Sequence, residues 1–334
     1  MVRFHFAFAL RKKLLGLSGG LDVAAARSRC CLSAVSRRGT RPLRPAPAPA
    51  NSRPSVTKMS TASKTTLDPS EMKKFQSLAD KWWDETGDFA ALHSMNDLRV
   101  PFIRDNLLNL NGGRKSGGPL SGFKILDVGC GGGLLSEPLG RLGASVTGID
   151  PLEDSIHTAE LHKSFDPVLN SRVHYRPCAL EDIVEEAEEE FDAVLASEVV
   201  EHVSDPEAFV QCCCDVLKPG GSLFITTLNK TNLSYALGIV MAEKVMKIVP
   251  SGTHDWEKFI SPVDLERLLE SNGFCVECIR GMFYNPISGS WSWIESTALN
   301  YAVHAVKQKM QLQSDFTRTS EDQDQKGTSE GYTV

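Results

Sequence analysis

Ile125-Leu-Asp-Val-Gly-Cys-Gly-Gly-Gly-Leu-Leu-Ser136, followed by Val146-Thr-Gly-Ile-Asp150, decides the fold of this chain. A short β-branched and aliphatic run ends in a cluster of glycines, then gives way to a helical pattern; a second such run ends in an acid. Glycines at that turn let the backbone pass close under a ligand and present amides at a helix N-terminus, where a carboxylate or phosphate is favoured. The acid, Asp150, lies 21 residues after Gly129, the spacing at which a carboxylate after a second strand can accept both hydroxyls of a ribose. Gly129, Gly131 and Asp150 are therefore candidate cofactor-binding residues. The dinucleotide fingerprint G-x-G-x-x-G, counted from Gly129, would need glycine at 134, where the chain has Leu134. A nicotinamide-dependent oxidoreductase is disfavoured on that ground.

Outward from this stretch, strands and helices alternate. The patterns predict strands at 124–128, 145–149, 173–177, 191–196, 222–227, 274–280 and 301–306. Helices are predicted at 134–142, 153–163, 180–188, 206–216 and 262–272. Such alternation implies a doubly wound α/β fold, with a mostly parallel seven-stranded sheet and helices on both faces. Two helices precede it as an N-terminal cap, at Ser70–Asp84 with apolar positions 72, 75, 78, 79 and 82 or 83, and at about 96–108. An insertion, 229–255, follows the fifth strand. The methyl-poor, polar stretch 311–334 has the composition of a disordered tail.

The chain has 334 residues, is 41% hydrophobic and 23% charged, and has a formal net charge of −6. That charge is divided unevenly: residues 1–66 carry a net +12 and the other 268 a net −18. An acid-poor segment rich in Arg, Ser and Ala, opening on an amphipathic stretch whose apolar run is broken by Arg11, Lys12 and Lys13, has the make-up of a mitochondrial transit peptide. A basic tail binding nucleic acid or anionic lipid is the alternative. Arg41–Pro54, with five prolines, is a linker on either reading. The expected organisation is transit peptide and linker in 1–66, a catalytic domain in 67–310 and the tail. No run reaches about 18 consecutive apolar residues, so no membrane-spanning helix is expected. Nine cysteines lack the spacing of a secreted disulfide framework.

Beyond the fourth strand comes Ser197-Glu-Val-Val-Glu201-His202, at the carboxyl end of the sheet where doubly wound folds bind ligands. On a helix, Glu198, Glu201 and His202 would fall at i, i+3 and i+4 and share one face. Two carboxylates and an imidazole there could hold a divalent cation such as Mg²⁺, which would lower the pKa of a phenol and orient its oxygen. Two alternatives stand beside that reading: His202 acting alone as general base, and a helix start that is simply solvated. In the insertion, lysines 244 and 247 beside a broad apolar face suit either a helix lying on a membrane surface or a cap over the site. Phe283, Tyr284, Trp291 and Trp293 are candidates for a pocket rim or for core.

The glycine loop with Asp150 resembles the cofactor site of class I S-adenosylmethionine-dependent methyltransferases. Trp82-Trp-Asp84, Leu92-His-Ser-Met-Asn-Asp-Leu-Arg99, Ser197–His202, Leu217-Lys-Pro-Gly-Gly221 and Gly252-Thr-His-Asp-Trp256 narrow the match, over roughly 70–308, to the ubiquinone biosynthesis O-methyltransferase family. The resemblance implies that Arg99, Gly129, Asp150 and Ser197 contact S-adenosylmethionine, with Leu180 and Glu181 beside the adenine, and that Glu198, Glu201 and His202 hold Mg²⁺. It also implies polyprenylated catechol substrates and a peripheral place on the matrix side of the mitochondrial inner membrane. A multi-subunit ubiquinone-synthesis complex is the implied partner, and no nucleic acid. The rival readings are a metal-independent methyltransferase of another small acceptor, and a non-catalytic assembly subunit of the same fold.

Overall fold

A computed structural model describes residues 66–111, 117–231 and 258–309. The transit segment, the polar tail and nearly all of the 229–255 insertion lie outside the described residues.

Helix α1 (Pro69–Gln76) and α2 (Ala90–Asn111) precede the sheet. The alternating part then runs β1 (Lys124–Val128), α3 (Ser136–Arg141), β2 (Ser145–Asp150), α4 (Glu153–Lys163), β3 (Val173–Pro177), α5 (Leu180–Glu186) and β4 (Phe191–Ser197). It continues through α6 (Pro206–Val216), β5 (Leu217–Leu228), α7 (Pro262–Ser271), β6 (Phe274–Asn285), β7 (Ser290–Ile294) and β8 (Asn300–Lys307). The strand order is β3-β2-β1-β4-β5-β8-β6-β7, parallel from β3 to β5 and antiparallel beyond it. The order reverses between β1 and β4, and that switch point places the glycine loop and the Ser197–His202 segment side by side.

Period-two alternation sorts the strand residues onto two cores. Leu126, Val128, Val194 and Ala196 face one side, where α5, α6 and α7 bring Ile183, Phe209 and Leu265. Ile125, Ala193, Leu195 and Phe224 face the other, against Met95 and Phe102 of α2, Leu139 of α3 and Ile156 of α4. Side chains of this size contribute about 1.5–3 kcal/mol each when fully buried. Asp205 caps α6 by accepting from the Ala208 amide, and Ser261 caps α7 through Asp264, each followed by a proline in the first turn.

The sheet has eight strands rather than the expected seven. The added strand, β7, forms because β6 runs on to Asn285 and turns back through Gly289, pairing Trp291 with Tyr284 and Trp293 with Met282. Alternating Ser and Trp in Ser290–Ile294 is strand spacing that read equally well as a pocket rim. The predicted helix 70–84 breaks after Gln76 and becomes a 3-10 turn at Ala79–Lys81. Its apolar positions include adjacent Trp82 and Trp83, and neighbouring residues cannot share one helix face. α2 is longer than predicted and passes through Pro101. Among the described residues no helix is long and apolar enough to cross a membrane.

Candidate active site

The glycine loop owes its shape to positive φ values, +66° at Gly129 and +53° at Gly131, which L side chains rarely adopt. The Gly131 amide donates to Asp150 Oδ2 at 3.0 Å, and the Leu152 amide donates to Oδ1 at 2.9 Å. Asp150 thus joins the two loops that leave β1 and β2. Burial pushes its carboxyl up to about 6, against the pull of those two amides. Asp127, behind the loop, accepts from Ser136 Oγ at 2.6 Å and is likewise raised by burial to about 6.

Arg99 enters from α2 and is buried. Its Nε and Nη2 donate to Asn96 Oδ1 at 3.2 and 2.8 Å, Nη2 also donates to the Leu92 carbonyl at 3.0 Å, and Nη1 donates to Ser197 Oγ at 2.7 Å. Ser197 Oγ in turn lies 2.6 Å from Thr226 Oγ1 on β5. Among the described residues no carboxylate pairs with this guanidinium; burial lowers its pKa to about 10, partly offset by the charges of Glu198 and Asp127. A buried cation whose four bonds go to neutral acceptors leaves one N–H and a net charge for an anion. Arg99, Ser197, Thr226, Phe102, Leu135 and Trp293 line one pocket.

Glu198, Glu201 and His202 do not form the predicted helical face. Glu198 has φ +58°, a conformation costly for a residue with a Cβ, and its amide donates to the Thr226 carbonyl at 2.8 Å. Only Val200–His202 forms a turn, of 3-10 type. Glu201 is buried and accepts from Thr227 Oγ1 at 2.8 Å. Burial, then the nearby charge of Glu198, raise its carboxyl well above the usual carboxylate range. Oε1 of Glu198 and Oε1 of Glu201 are both buried without a hydrogen-bond partner among the described residues. His202 points elsewhere: its Nδ1 lies 2.9 Å from Glu71 Oε2 of α1, and its ring sits edge-on to Phe75. Glu71 and Asp68 also meet Lys258 Nζ, at 3.3 and 2.6 Å. Among the described residues no group of three or more His, Cys, Asp and Glu is arranged to hold a metal.

Leu180 belongs to the core with Leu126 and Ile149 rather than to an open surface. Its neighbour Glu181 accepts the Thr66 amide, while Glu181 Oε2 is buried without a partner. Trp291 donates from its indole to the Ala91 carbonyl on α2 at 2.8 Å, and Phe283 is exposed, so of the four aromatic candidates Trp293 alone lines the pocket. Thr226, Asn96, Glu71, Trp82 and Trp83 are not among the residues that the sequence assigns to the site. The adjacent tryptophans carried a signal, since two neighbouring large indoles cannot both be helix core.

A family described as "Methyltransferase domain" matches residues 93–279. A human protein named ubiquinone biosynthesis O-methyltransferase, mitochondrial, is 66% identical over 251 residues, covering 75% of this chain and 68% of that protein. A Methylobacterium protein named ubiquinone biosynthesis O-methyltransferase is 45% identical over 248 residues, covering 74% of this chain and 98% of its own length. The chain belongs to the ubiquinone biosynthesis O-methyltransferase family. Among solved structures, magnesium protoporphyrin IX methyltransferase from Synechocystis, with bound SAH, aligns at TM-score 0.49 and 17% identity over 71% of this chain and 99% of that one. Arg99, Asp150 and Glu201 all fall within the matched residues 93–279.

Proposed function

We propose that this chain transfers the methyl group of S-adenosylmethionine to a phenolic oxygen of polyprenylated catechols, the dihydroxybenzoate and demethylubiquinol intermediates of ubiquinone synthesis, in mitochondria. The observation that carries the reading is Arg99: a buried guanidinium without a carboxylate partner among the described residues, bonded to Ser197 at the end of β4 and one strand from the Gly131–Asp150 bridge. A ligand with a carboxylate at one end and a ribose at the other satisfies both.

Bound S-adenosylmethionine supplies an electrophilic methyl on a sulfonium sulfur. Asp150 would accept hydrogen bonds from the ribose hydroxyls, and Arg99 would pair with the methionine carboxylate. The glycine loop would line the methionine end of the site. Transfer is a displacement in which the phenolic oxygen forms the new C–O bond as the C–S bond breaks, so the chain must take up the phenol's proton and hold the oxygen in line. Mg²⁺ fits in part. The buried, unpartnered oxygens of Glu198 and Glu201 suit a hard cation, which would acidify the phenol; the pairing of His202 with Glu71 does not place the third ligand. That same pairing favours a second, metal-independent reading, in which Glu71 orients His202 as the general base.

The reading extends to the surroundings of the site. A polyprenyl substrate resides in lipid, and the apolar and lysine-bearing insertion suits contact with the matrix face of the inner membrane. Residues 1–66 suit import, and assembly into a ubiquinone-synthesis complex is part of the same proposal. The test is methyl transfer from labelled S-adenosylmethionine to a short-chain prenylated dihydroxybenzoate and to a demethylubiquinol analogue, with and without chelator, on wild type and Glu201→Ala. Loss with chelator and in the variant supports the metal; activity indifferent to chelator but lost in His202→Gln supports the lone base. No transfer to either acceptor, with cofactor bound, overturns the proposal.

A further inference from the structure

Trp82 and Trp83 lie between the 3-10 turn and α2, outside the sheet, yet both of their indole N–H groups are spent on the cofactor loops. Trp83 Nε1 donates to the Gly132 carbonyl at 2.9 Å. Trp82 Nε1 donates to Ser155 Oγ at 3.2 Å, in the first turn of α4, directly after the Asp150 loop. One indole therefore anchors the loop leaving β1, and its neighbour anchors the first turn of the helix that follows the Asp150 loop.

Both rings are fixed from behind. Trp82 stacks on Phe89, centroids 3.9 Å apart and planes at 12°, and its carbonyl contacts His93 Nε2 at 2.8 Å. Trp83 stacks on His162 at 3.3 Å and 6°. His162 Nδ1 lies 2.8 Å from Oε1 of Glu137, a buried carboxylate in the first turn of α3, whose amide donates to the Gly133 carbonyl. The circuit from Gly132 through Trp83, His162 and Glu137 returns to the glycine loop it started from. The loop itself is moulded to the indole: a Cβ on Gly131 would sit 2.5 Å from the Trp82 ring, and one on Gly132 2.3 Å from Trp82 Cβ.

A loop of consecutive glycines has little conformational preference of its own and loses much entropy on being ordered. External contacts must therefore set its shape before a ligand arrives. We propose that Trp82 and Trp83 are positioning residues of the S-adenosylmethionine site: the two indole N–H groups set the separation and tilt of the glycine loop relative to the Asp150 loop. The proposal rests on the cofactor reading above and goes beyond it, because it assigns both tryptophans a role in shaping the loops that hold the cofactor. It makes the N-terminal cap part of the cofactor site.

The experiment compares wild type, Trp82→Phe, Trp83→Phe, Ser155→Ala and Trp82→Phe/Ser155→Ala. Equilibrium binding of S-adenosylmethionine, KM for cofactor and acceptor, kcat and Tm are measured on the full chain. Phenylalanine keeps a ring for stacking and removes the N–H. Each single variant is expected to weaken cofactor binding and raise its KM roughly 3- to 10-fold, the range for loss of one hydrogen bond, with kcat and acceptor KM within about twofold of wild type. The double variant is expected to be no weaker than its singles, because both remove the same bond. Ser155→Ala is the smallest change and keeps the test valid if a tryptophan variant folds poorly. Cofactor affinity unchanged in soluble, folded variants would overturn the proposal, as would kcat and both KM values moving together with Tm, the pattern of a merely structural role. Wild-type protein that binds no S-adenosylmethionine would overturn the cofactor reading itself, and this proposal with it.

Discussion

Replacing Arg99 with methionine separates its role in folding from its role in binding. The guanidinium donates four hydrogen bonds, to Asn96 twice, to the Leu92 carbonyl and to Ser197, and one N–H on Nη1 remains. Burial depresses its pKa from 12.5 to about 10. At about 1.4 kcal/mol per pKa unit, the folded state opposes this charge by about 3 kcal/mol at neutral pH. Losing four hydrogen bonds from a charged donor, about 1.5–3 kcal/mol each, acts in the other direction and outweighs it. Methionine has a similar length and adapts to irregular space, which limits the loss. Arg99→Met is therefore expected to fold with a clearly lower Tm than wild type. The effect on the cofactor is read on the folded variant: a charge-assisted hydrogen bond contributes about 1.5–3 kcal/mol, so affinity is expected to fall roughly 10- to 150-fold. Calorimetric titration with S-adenosylmethionine, alongside thermal denaturation, reads both quantities. A variant that binds cofactor within twofold of wild type would refute the assignment of Arg99 to the carboxylate.

Asp150 provides a pH dependence. Its carboxyl is raised to about 6 in the folded chain, so its burial favours folding fully below about 3.8 and that contribution is lost as pH rises through about 6. Binding has the opposite requirement, since accepting two ribose hydroxyls needs the ionised acid; cofactor affinity is expected to fall as pH drops below about 6, with Asp150→Asn flattening the profile in a binding titration from pH 5 to 8. Gly131→Ala places a Cβ 2.5 Å from the Trp82 ring at φ +53°. It is expected to destabilise by about 1–3 kcal/mol in urea denaturation and to abolish measurable cofactor binding. Glu71→Gln removes the negative charge beside His202 Nδ1 while keeping an acceptor; a large fall in kcat without a change in chelator sensitivity would mark His202 as the base, and an unchanged kcat would remove Glu71 from the chemistry.

The parts of this molecule legible in the sequence are those dictated by local constraints. The strand-loop-helix at 125–136 could be read because glycine adopts positive φ values such as that of Gly131 at far less cost than residues with a Cβ, and Asp150 because its distance along the chain is set by one helix and one strand. Seven of the eight strands showed through their aliphatic alternation. β7 was hidden because its tryptophans pack on α2 and β6, and a Trp-rich strand has the same residues as a pocket rim. The acidic triplet misled because i, i+3, i+4 spacing presumes a helix, whereas Glu198 takes a left-handed conformation and α1 draws His202 toward Glu71. Contacts between distant residues left no pattern to read: Arg99 meets Ser197 across 98 positions and His202 meets Glu71 across 131. The resemblance to a family named Arg99 and Ser197, and the structure shows them bonded to each other.

The central claim is transfer of a methyl group from S-adenosylmethionine to a catechol oxygen. Its most direct test is incubation of the full chain with methyl-labelled cofactor and a short-chain prenylated dihydroxybenzoate, followed by mass spectrometry and NMR of the product. The expected product carries one added, labelled methyl on a phenolic oxygen, with S-adenosylhomocysteine formed in equal amount. Label on a ring carbon, or cofactor bound without turnover of any catechol offered, would contradict it.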